Sequence, residues 1–310
     1  MAVSLTSTYA GEFAGKYISA ALLSGSTLEN GLVTVLPNVK YKQVLQTGSL
    51  GSIVANATCD YTASGTLTLA EKIIEPEEFQ VNYDICKKDL INSWEAEQMG
   101  FSAFDNLAPS LSDFVIGYTA AKVAAQVENT IWSGQNGTAG EFDGFYYLAT
   151  AGGSGCVSVT GTAVTAANVI DEMGKVVDAI PQAVYGKEDL FIYVAPNVAR
   201  AYIRALGGFG ANGLGANGVN NEGTTWFTNG ALSFDGIPVV VAQGLPASSM
   251  MAAQKSNMFF GTGLLSDHNE VRVLDMSLLD GSQNCRVIMR FTAGVQMGIN
   301  SCLLYTSPSP

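Results

Sequence analysis

Phe79-Gln-Val-Asn-Tyr-Asp-Ile85 is the stretch on which the reading of this chain turns. Phe79, Val81, Tyr83 and Ile85 alternate with Gln80, Asn82 and Asp84, and a period of two puts four apolar side chains on one face of a strand. Such a strand packs on one side only. Upstream, Val33 to Ile85 lacks helical periodicity. Gln46-Thr-Gly-Ser-Leu-Gly51 and Ala63-Ser-Gly65 are turn material, and Thr66-Leu-Thr-Leu69 alternates. This predicts a long hairpin-like arm with little core of its own, which therefore needs a partner surface. Ahead of the arm, a helix is expected over Tyr9 to Leu23.

Downstream the period changes. Between Leu111 and Trp132, Phe114, Tyr118, Ala121 and Ala125 recur at spacings of four, three and four, with Ser110 or Ser112 available as N-cap. This predicts a helix roughly 33 Å long, stopped by Ser133-Gly134-Gln-Asn-Gly137. A second amphipathic helix starts at Thr165. It presents Ile170, Met173, Val177 and Ile180 on one face, turns Asp171, Glu172, Lys175 and Asp178 elsewhere, and closes at Pro181. A strand at Leu190-Phe-Ile-Tyr-Val194, a helix from Pro196 to about Leu206 and a glycine-rich loop follow. The last third reads as strands: Ile237 to Ala242, Met258 to Gly261, Val271 to Met276 and Cys285 to Ile299. The fold class is α+β.

Composition narrows the function. Of 310 residues, 47% are hydrophobic and 14% charged, enough apolar content for a sizeable core and about two domains. Fifteen basic against 27 acidic residues give a net charge of -12, so the surface repels polyphosphate and a dedicated nucleic-acid reader is disfavoured. Cys59, Cys86, Cys156, Cys285 and Cys302 lie far apart without a C-x-x-C pair. They read as small buried apolar side chains in a reducing compartment. The start Met1-Ala-Val-Ser-Leu has no signal-peptide pattern, so the sequons at Asn56 and Asn136 are chance matches. Apolar runs such as Val239-Val-Val-Ala242 fall far short of the about 20 residues of a membrane span.

Catalytic patterns fail on context. His268, the chain's single histidine, stands in the polar turn Ser266-Asp-His-Asn269 and reads as solvated. Gly208-Phe-Gly210-Ala-Asn-Gly213 and its overlapping copy at Gly213 to Gly218 match G-x-G-x-x-G. A phosphate cradle needs a strand before the glycines and a helix after them, and here a helix precedes and a polar run follows. Asp84 with Asp89, and Glu75 with Glu77 and Glu78, read as solvated acids. Glu128 lies one helix turn from Ala125 and from Trp132. It is read as a partly buried structural acid paired to an Arg or Lys. No catalytic, cofactor-binding or metal-binding residue is assigned, and the chain is read as not an enzyme.

The order of these elements resembles the major capsid proteins of tailed bacteriophages with the Hong Kong phage-type fold. The passages that carry the resemblance are Glu128-Asn-Thr-Ile-Trp-Ser-Gly134 followed by Phe142-Asp-Gly-Phe145, Ala195-Pro-Asn-Val198, Phe234-Asp-Gly-Ile-Pro-Val239, Met258-Phe-Phe-Gly261 and Arg286-Val-Ile-Met-Arg-Phe-Thr-Ala-Gly-Val295. The resemblance implies an N-terminal arm at 1–32, an extended two-stranded loop at 33–78 and a peripheral domain at 79–150 with a spine helix at 111–133. It further implies a mainly axial domain at 151–280 and a return strand to the peripheral domain at 281–300. Residues 301–310 are read as a non-native tail.

The implied function is a structural subunit that self-assembles into the hexamers and pentamers of an icosahedral shell enclosing phage double-stranded DNA, without sequence-specific DNA binding. It needs no cofactor. The location is the virion, after assembly in the host bacterial cytoplasm. The implied partners are other copies, with the portal, a scaffold or protease and decoration proteins of the same phage, and no membrane. The loop from Gly207 to Gly218 is expected near the capsomer axes. Lys40, Lys42 or Lys72 could serve a covalent lysine–asparagine weld of the kind some relatives use, though no motif marks one. The alternatives are an encapsulin-like compartment shell and, more remotely, a nucleotide-binding enzyme.

Overall fold

A computed structural model describes residues 26–51, 53–54, 56–57, 59, 65–86, 109–151, 154–207, 232–263, 272–279, 281–302 and 304–308. In chain order these form α1 (Ser26–Glu29), β1 (Thr34–Pro37), β2 (Gln43–Leu50), β3 (Leu67–Ile74), β4 (Glu77–Cys86), α2 (Pro109–Ser133) and α3 (Phe145–Thr150). Next come β5 (Val157–Gly161), α4 (Val169–Asp178), β6 (Leu190–Val194), α5 (Pro196–Gly207), β7 (Leu232–Phe234) and β8 (Ile237–Val241). The last are β9 (Met250–Gln254), β10 (Met258–Thr262), β11 (Arg272–Asp275), β12 (Asn284–Met297) and β13 (Leu304–Pro308). The helix expected over Tyr9 to Leu23 lies outside the described residues.

The alternating stretch forms β4, and its register explains the alternation. β4 pairs antiparallel with β12, setting Phe79 opposite Phe291, Val81 opposite Met289, Tyr83 opposite Val287 and Ile85 opposite Cys285. All four β12 partners are buried, while Glu78, Gln80, Asn82 and Asp84 on the other face of β4 are exposed. β11 pairs with the same stretch of β12 on the opposite edge, β10 pairs with its C-terminal end, and β1 adds parallel to β10.

The long helix α2 covers the apolar face, through a stripe other than the expected one. Thr119, Val123, Val127 and Ile131 are buried at intervals of four, whereas Ala121 and Ala125 are exposed. Branched apolar residues gain more from burial than alanine, which tolerates either side, so they set the rotation. The side chains of Phe114 and Tyr118 lie outside the described residues. The helix begins at Pro109, so Ser110 and Ser112 stand inside its first turn and are not N-caps. Proline's fixed φ and missing N–H suit that first position.

The second sheet runs β5-β13-β9-β6-β8-β7. Helix α4 packs over β5, β13 and β9, and α5 covers the β7 end, where the Tyr202 hydroxyl donates to Ser233 O at 2.7 Å. Two sequence expectations change on α4. Ile170 is 49% exposed, and Glu172 is buried, because the inward stripe is Val169, Glu172, Met173 and Val176. Glu172 is satisfied there by Thr162, whose hydroxyl (2.8 Å) and amide (3.3 Å) donate to it, and by Lys175 Nζ at 2.7 Å.

Sheet membership does not follow sequence order. β10 and β11, expected with the second half, belong to the sheet of β12. Residues 304–308 of the segment read as a non-native tail form β13, which lies between β5 and β9 with Leu304 and Thr306 buried. β1 is a strand of the body sheet, so the two-stranded arm extends only from Gln43 to Ile74. The two sheets meet around Trp132, whose ring lies 5.0 Å from that of Tyr193 and 5.8 Å from that of Phe145.

Candidate assembly surface

β2 and β3 pair with each other from Gln43 opposite Ile74 to Leu50 opposite Leu67, and among the described residues with no other strand. Residues directly opposed on antiparallel strands share a face. One face therefore carries Val44, Gln46, Gly48 and Leu50 with Ile73, Glu71, Leu69 and Leu67, and all eight are exposed. Leu69 is 73% exposed and Leu67 60%. On the other face Leu45, Thr47 and Lys72 are half-buried and Ile74 is fully buried. The ribbon thus has an inward face that meets the body at its root and an outward face of five uncovered aliphatic side chains. The sequence pattern had suggested an arm in need of a partner; it did not single out these five, because apolar residues stand on both faces.

The root of the ribbon is fixed. Gln296 Nε2 donates to Ile73 O at 2.7 Å, and Lys42 Nζ pairs with Glu75 Oε2 at 2.9 Å. The hydrogen bond and charge of Glu75 raise the Lys42 pKa, and the ammonium lies 5.3 Å from the Tyr41 ring centroid. Beside the root opens a concavity of about 670 Å³ whose lining includes Glu75, Glu77, Glu78 and Asp143. Burial, then the neighbouring charges of Asp143 and Glu75, push the Glu77 carboxyl above its ordinary range, against a hydrogen bond donated by Asn136 Nδ2.

Glu128 is structural, with partners other than an Arg or Lys. Its Oε1 accepts from the hydroxyls of Ser26 (2.9 Å) and Thr27 (2.5 Å), and its Oε2 accepts from Thr27 N at 3.1 Å. Trp132 Nε1 in turn donates to Thr27 Oγ1 at 2.8 Å. A buried carboxylate needs donors, and here the start of α1 supplies them, clasping the N-terminal strap to α2. From that clasp the strap runs between the sheets, where Leu28, Leu32 and Val33 are buried and Leu32 O accepts from the Tyr193 hydroxyl at 2.7 Å.

The remaining expected groups are dispersed. Asp84 pairs with Arg286 at 3.3 Å, and Asp89, His268 and the loop after Gly207 lie outside the described residues. Of the four cysteines whose side chains are described, Cys285 alone matches the burial expected: Cys86 and Cys156 are intermediate, and Cys59 is exposed near the ribbon tip, while the side chain of Cys302 lies outside the described residues. Among the described residues no three potential metal ligands cluster, and no helix is long and apolar enough to cross a membrane.

No protein-family model matches the sequence, and no curated protein matches it. Solved structures do match, over nearly the whole chain. The capsid of a native GTA particle shares 17% identity and a TM-score of 0.63, over 94% of this chain and 91% of that one. The satellite phage P4 procapsid including size determination (Sid) protein gives 13% and 0.58, over 98% and 93%. The capsid of Myoviridae phage XM1 gives 12% and 0.56, over 92% of each. The chain has the fold of tailed-phage major capsid proteins.

Proposed function

We propose that this chain is a major capsid protein, a structural subunit whose copies close as hexamers and pentamers into the icosahedral shell of a tailed bacteriophage around double-stranded DNA. The observation that carries the reading is the outward apolar face of the β2–β3 ribbon on a capsid-type fold. A two-stranded ribbon is marginal by itself, and burying such a face against another copy removes apolar surface from water at every repeat of the contact. In this reading the ribbon is the extended loop, α2 the spine helix, the β12 sheet the peripheral domain and the β5–β13 sheet the axial domain.

The acidic balance suits the role. A wall with a net charge of -12 per chain repels packaged DNA and leaves it free to exit. The chain does no chemistry in this role. Its partners are other copies of itself, a portal, a scaffold or protease and decoration proteins, and it acts in the virion after assembly in the host cytoplasm.

Negative-stain electron microscopy of the purified chain, expressed by itself and beside its neighbouring gene products, tests the proposal. Closed shells or five- and six-membered rings are expected. A compact monomer under both conditions overturns it. Shells that enclose an enzyme in place of DNA would transfer the same architecture to a storage compartment.

A further inference from the structure

Two Asn-Gly pairs stand among the described residues, Asn30-Gly31 and Asn136-Gly137, and they differ at the nitrogen that matters chemically. In such a pair the backbone nitrogen of the glycine can attack the side-chain carbonyl of the asparagine, because the two groups are held side by side and no Cβ hinders the approach. The Gly31 amide is engaged, donating to Leu28 O at 3.0 Å in the turn that ends α1. The Gly137 amide is not: among the described residues it donates to no acceptor. Asn136 and Gly137 are both exposed, and the space where a Gly137 Cβ would stand is empty out to 4 Å.

The surroundings of Asn136 supply the rest. Its backbone amide donates to Asp143 Oδ1 at 2.9 Å, the Gln135 amide donates to Glu141 Oε2 at 3.1 Å, and Thr138 N returns to Gln135 O at 2.9 Å. The turn is thus pinned on both sides of the pair while the Gly137 nitrogen is left free. Asn136 Nδ2, the group that must depart, donates to Glu77 Oε1. We infer that Asn136-Gly137 is a self-modifying site: Gly137 N closes on Asn136 Cγ, and Glu77 delivers the proton with which the side-chain nitrogen leaves. The inference does not depend on the capsid reading.

The atoms balance. The bond from Gly137 N to Asn136 Cγ forms as that nitrogen gives its proton to hydroxide. The Cγ–Nδ2 bond then breaks as Nδ2 takes the Glu77 proton and departs as ammonia, and Glu77 regains a proton from water. Water opens the resulting cyclic imide at either carbonyl, giving aspartate or isoaspartate. No oxidant or reductant is needed.

Glu77 is suited to that step. Burial, then the charges of Asp143 and Glu75, keep its carboxyl protonated above the ordinary range. The charged groups about it are Glu75 with its partner Lys42, Glu78 and Asp143. Each conversion adds a carboxylate to this lining and removes the amide that donates to Glu77, so the modified chain carries more like charge at the ribbon root.

Peptide mass mapping of the purified chain held at neutral pH tests the site. Asn136 should convert about tenfold faster than Asn30, whose attacking amide must first break a hydrogen bond, and isoaspartate should be among its products. Gly137→Pro, which has no N–H, should yield no isoaspartate there. Glu77→Gln should slow the conversion about tenfold, short of the full worth of general acid catalysis because Glu77 is protonated only part of the time. Equal rates at Asn136 and Asn30, aspartate without isoaspartate, or an unchanged rate in Glu77→Gln overturns the inference.

The pH profile separates proton delivery by Glu77 from a merely structural effect of replacing it. In wild type the rate at Asn136 should rise with hydroxide and then level off above the Glu77 pKa, where each gain in hydroxide is matched by a loss of the acid. In Glu77→Gln and in urea-denatured chain it should keep rising. A wild-type rate that rises in parallel with that of the denatured chain throughout overturns the inference.

Discussion

Gly261 and Gly294 face each other across β10 and β12, and the chain from Ile74 to Pro76 crosses the sheet over that pair. A Cβ on Gly261 would lie 2.8 Å from Ile74 Cδ1. One on Gly294 would lie 2.9 Å from Pro76 Cα and 3.1 Å from Glu75 O. The first contact is with the end of a side chain, which a rotamer change can relieve; the second is with backbone, which cannot yield without moving the ribbon root. Gly294→Ala is therefore expected to cost about 1–3 kcal/mol, the range of an overpacked site, and Gly261→Ala less. Urea denaturation of the two variants checks the order, and a larger loss at Gly261 would contradict the crossing.

The clasp at Glu128 makes a sharper prediction. Glu128→Ala leaves the amide and hydroxyl of Thr27 buried without their acceptor, in a residue that is itself fully buried. Each buried donor left unpaired costs about 1–3 kcal/mol, so a loss of roughly 2–4 kcal/mol is expected. Glu128→Gln keeps one acceptor oxygen and should lose less. Because the Trp132 indole donates to the same hydroxyl, Thr27→Val should also alter tryptophan fluorescence in the native state. Equal stability of Glu128→Ala and wild type would remove the clasp from the account.

How much of this was legible in sequence depended on which faces a segment has to satisfy. β4 has one buried face and one exposed face, so its alternation could be read directly, residue by residue. The rotation of α2 could not, because alanines and valines lie all round it, and which of them turn inward depends on the shape of β4 and β12. Glu172 was read as solvent-facing because its charge outweighed its position. The hydroxyl and amide of Thr162, ten residues away, make its burial affordable, and no local pattern announces them. The same holds for Glu128, whose partners lie about one hundred residues upstream. That β10 and β11 join the sheet of β12 could not be read either, because strand identity carries no signal of which sheet a strand joins.

The outward face of the ribbon separates assembly from stability. Leu67→Asp places a carboxylate on an exposed position opposite Leu50, with Leu69 two residues along the same face. Nothing buried changes, so subunit stability should stay within about 0.5 kcal/mol of wild type. A charge at the centre of an apolar contact costs far more, because it must be desolvated without a partner. Shells should therefore be absent at subunit concentrations where wild type assembles, as read by sedimentation velocity. Normal shells would mean that this face looks into solvent in the particle.

Acid and neutral pH act on different carboxylates with opposite sign. The Glu77 pKa is raised, first by burial and then by Asp143 and Glu75, so Glu77 supplies stability at low pH that is lost as pH rises through its folded pKa. Glu172 runs the other way. Burial pushes its carboxyl up, but the hydrogen bonds from Lys175 and Thr162 together outweigh burial, and the net shift is downward. Its contribution is present above the unfolded value of roughly 4 and is lost as pH falls through the lower folded value. Asp189, held down chiefly by the Ser256 hydroxyl, adds to the same acid limb. Glu77→Gln, which keeps an acceptor for Asn136, should therefore stabilise the subunit at pH 7 and leave it unchanged near pH 3. Glu172→Gln should destabilise it at pH 7 and flatten the fall in stability on acidification. Denaturation midpoints of the subunit at pH 3, 5 and 7 decide the matter: if both variants move in the same direction at pH 7, the opposed roles of the two carboxylates are wrong.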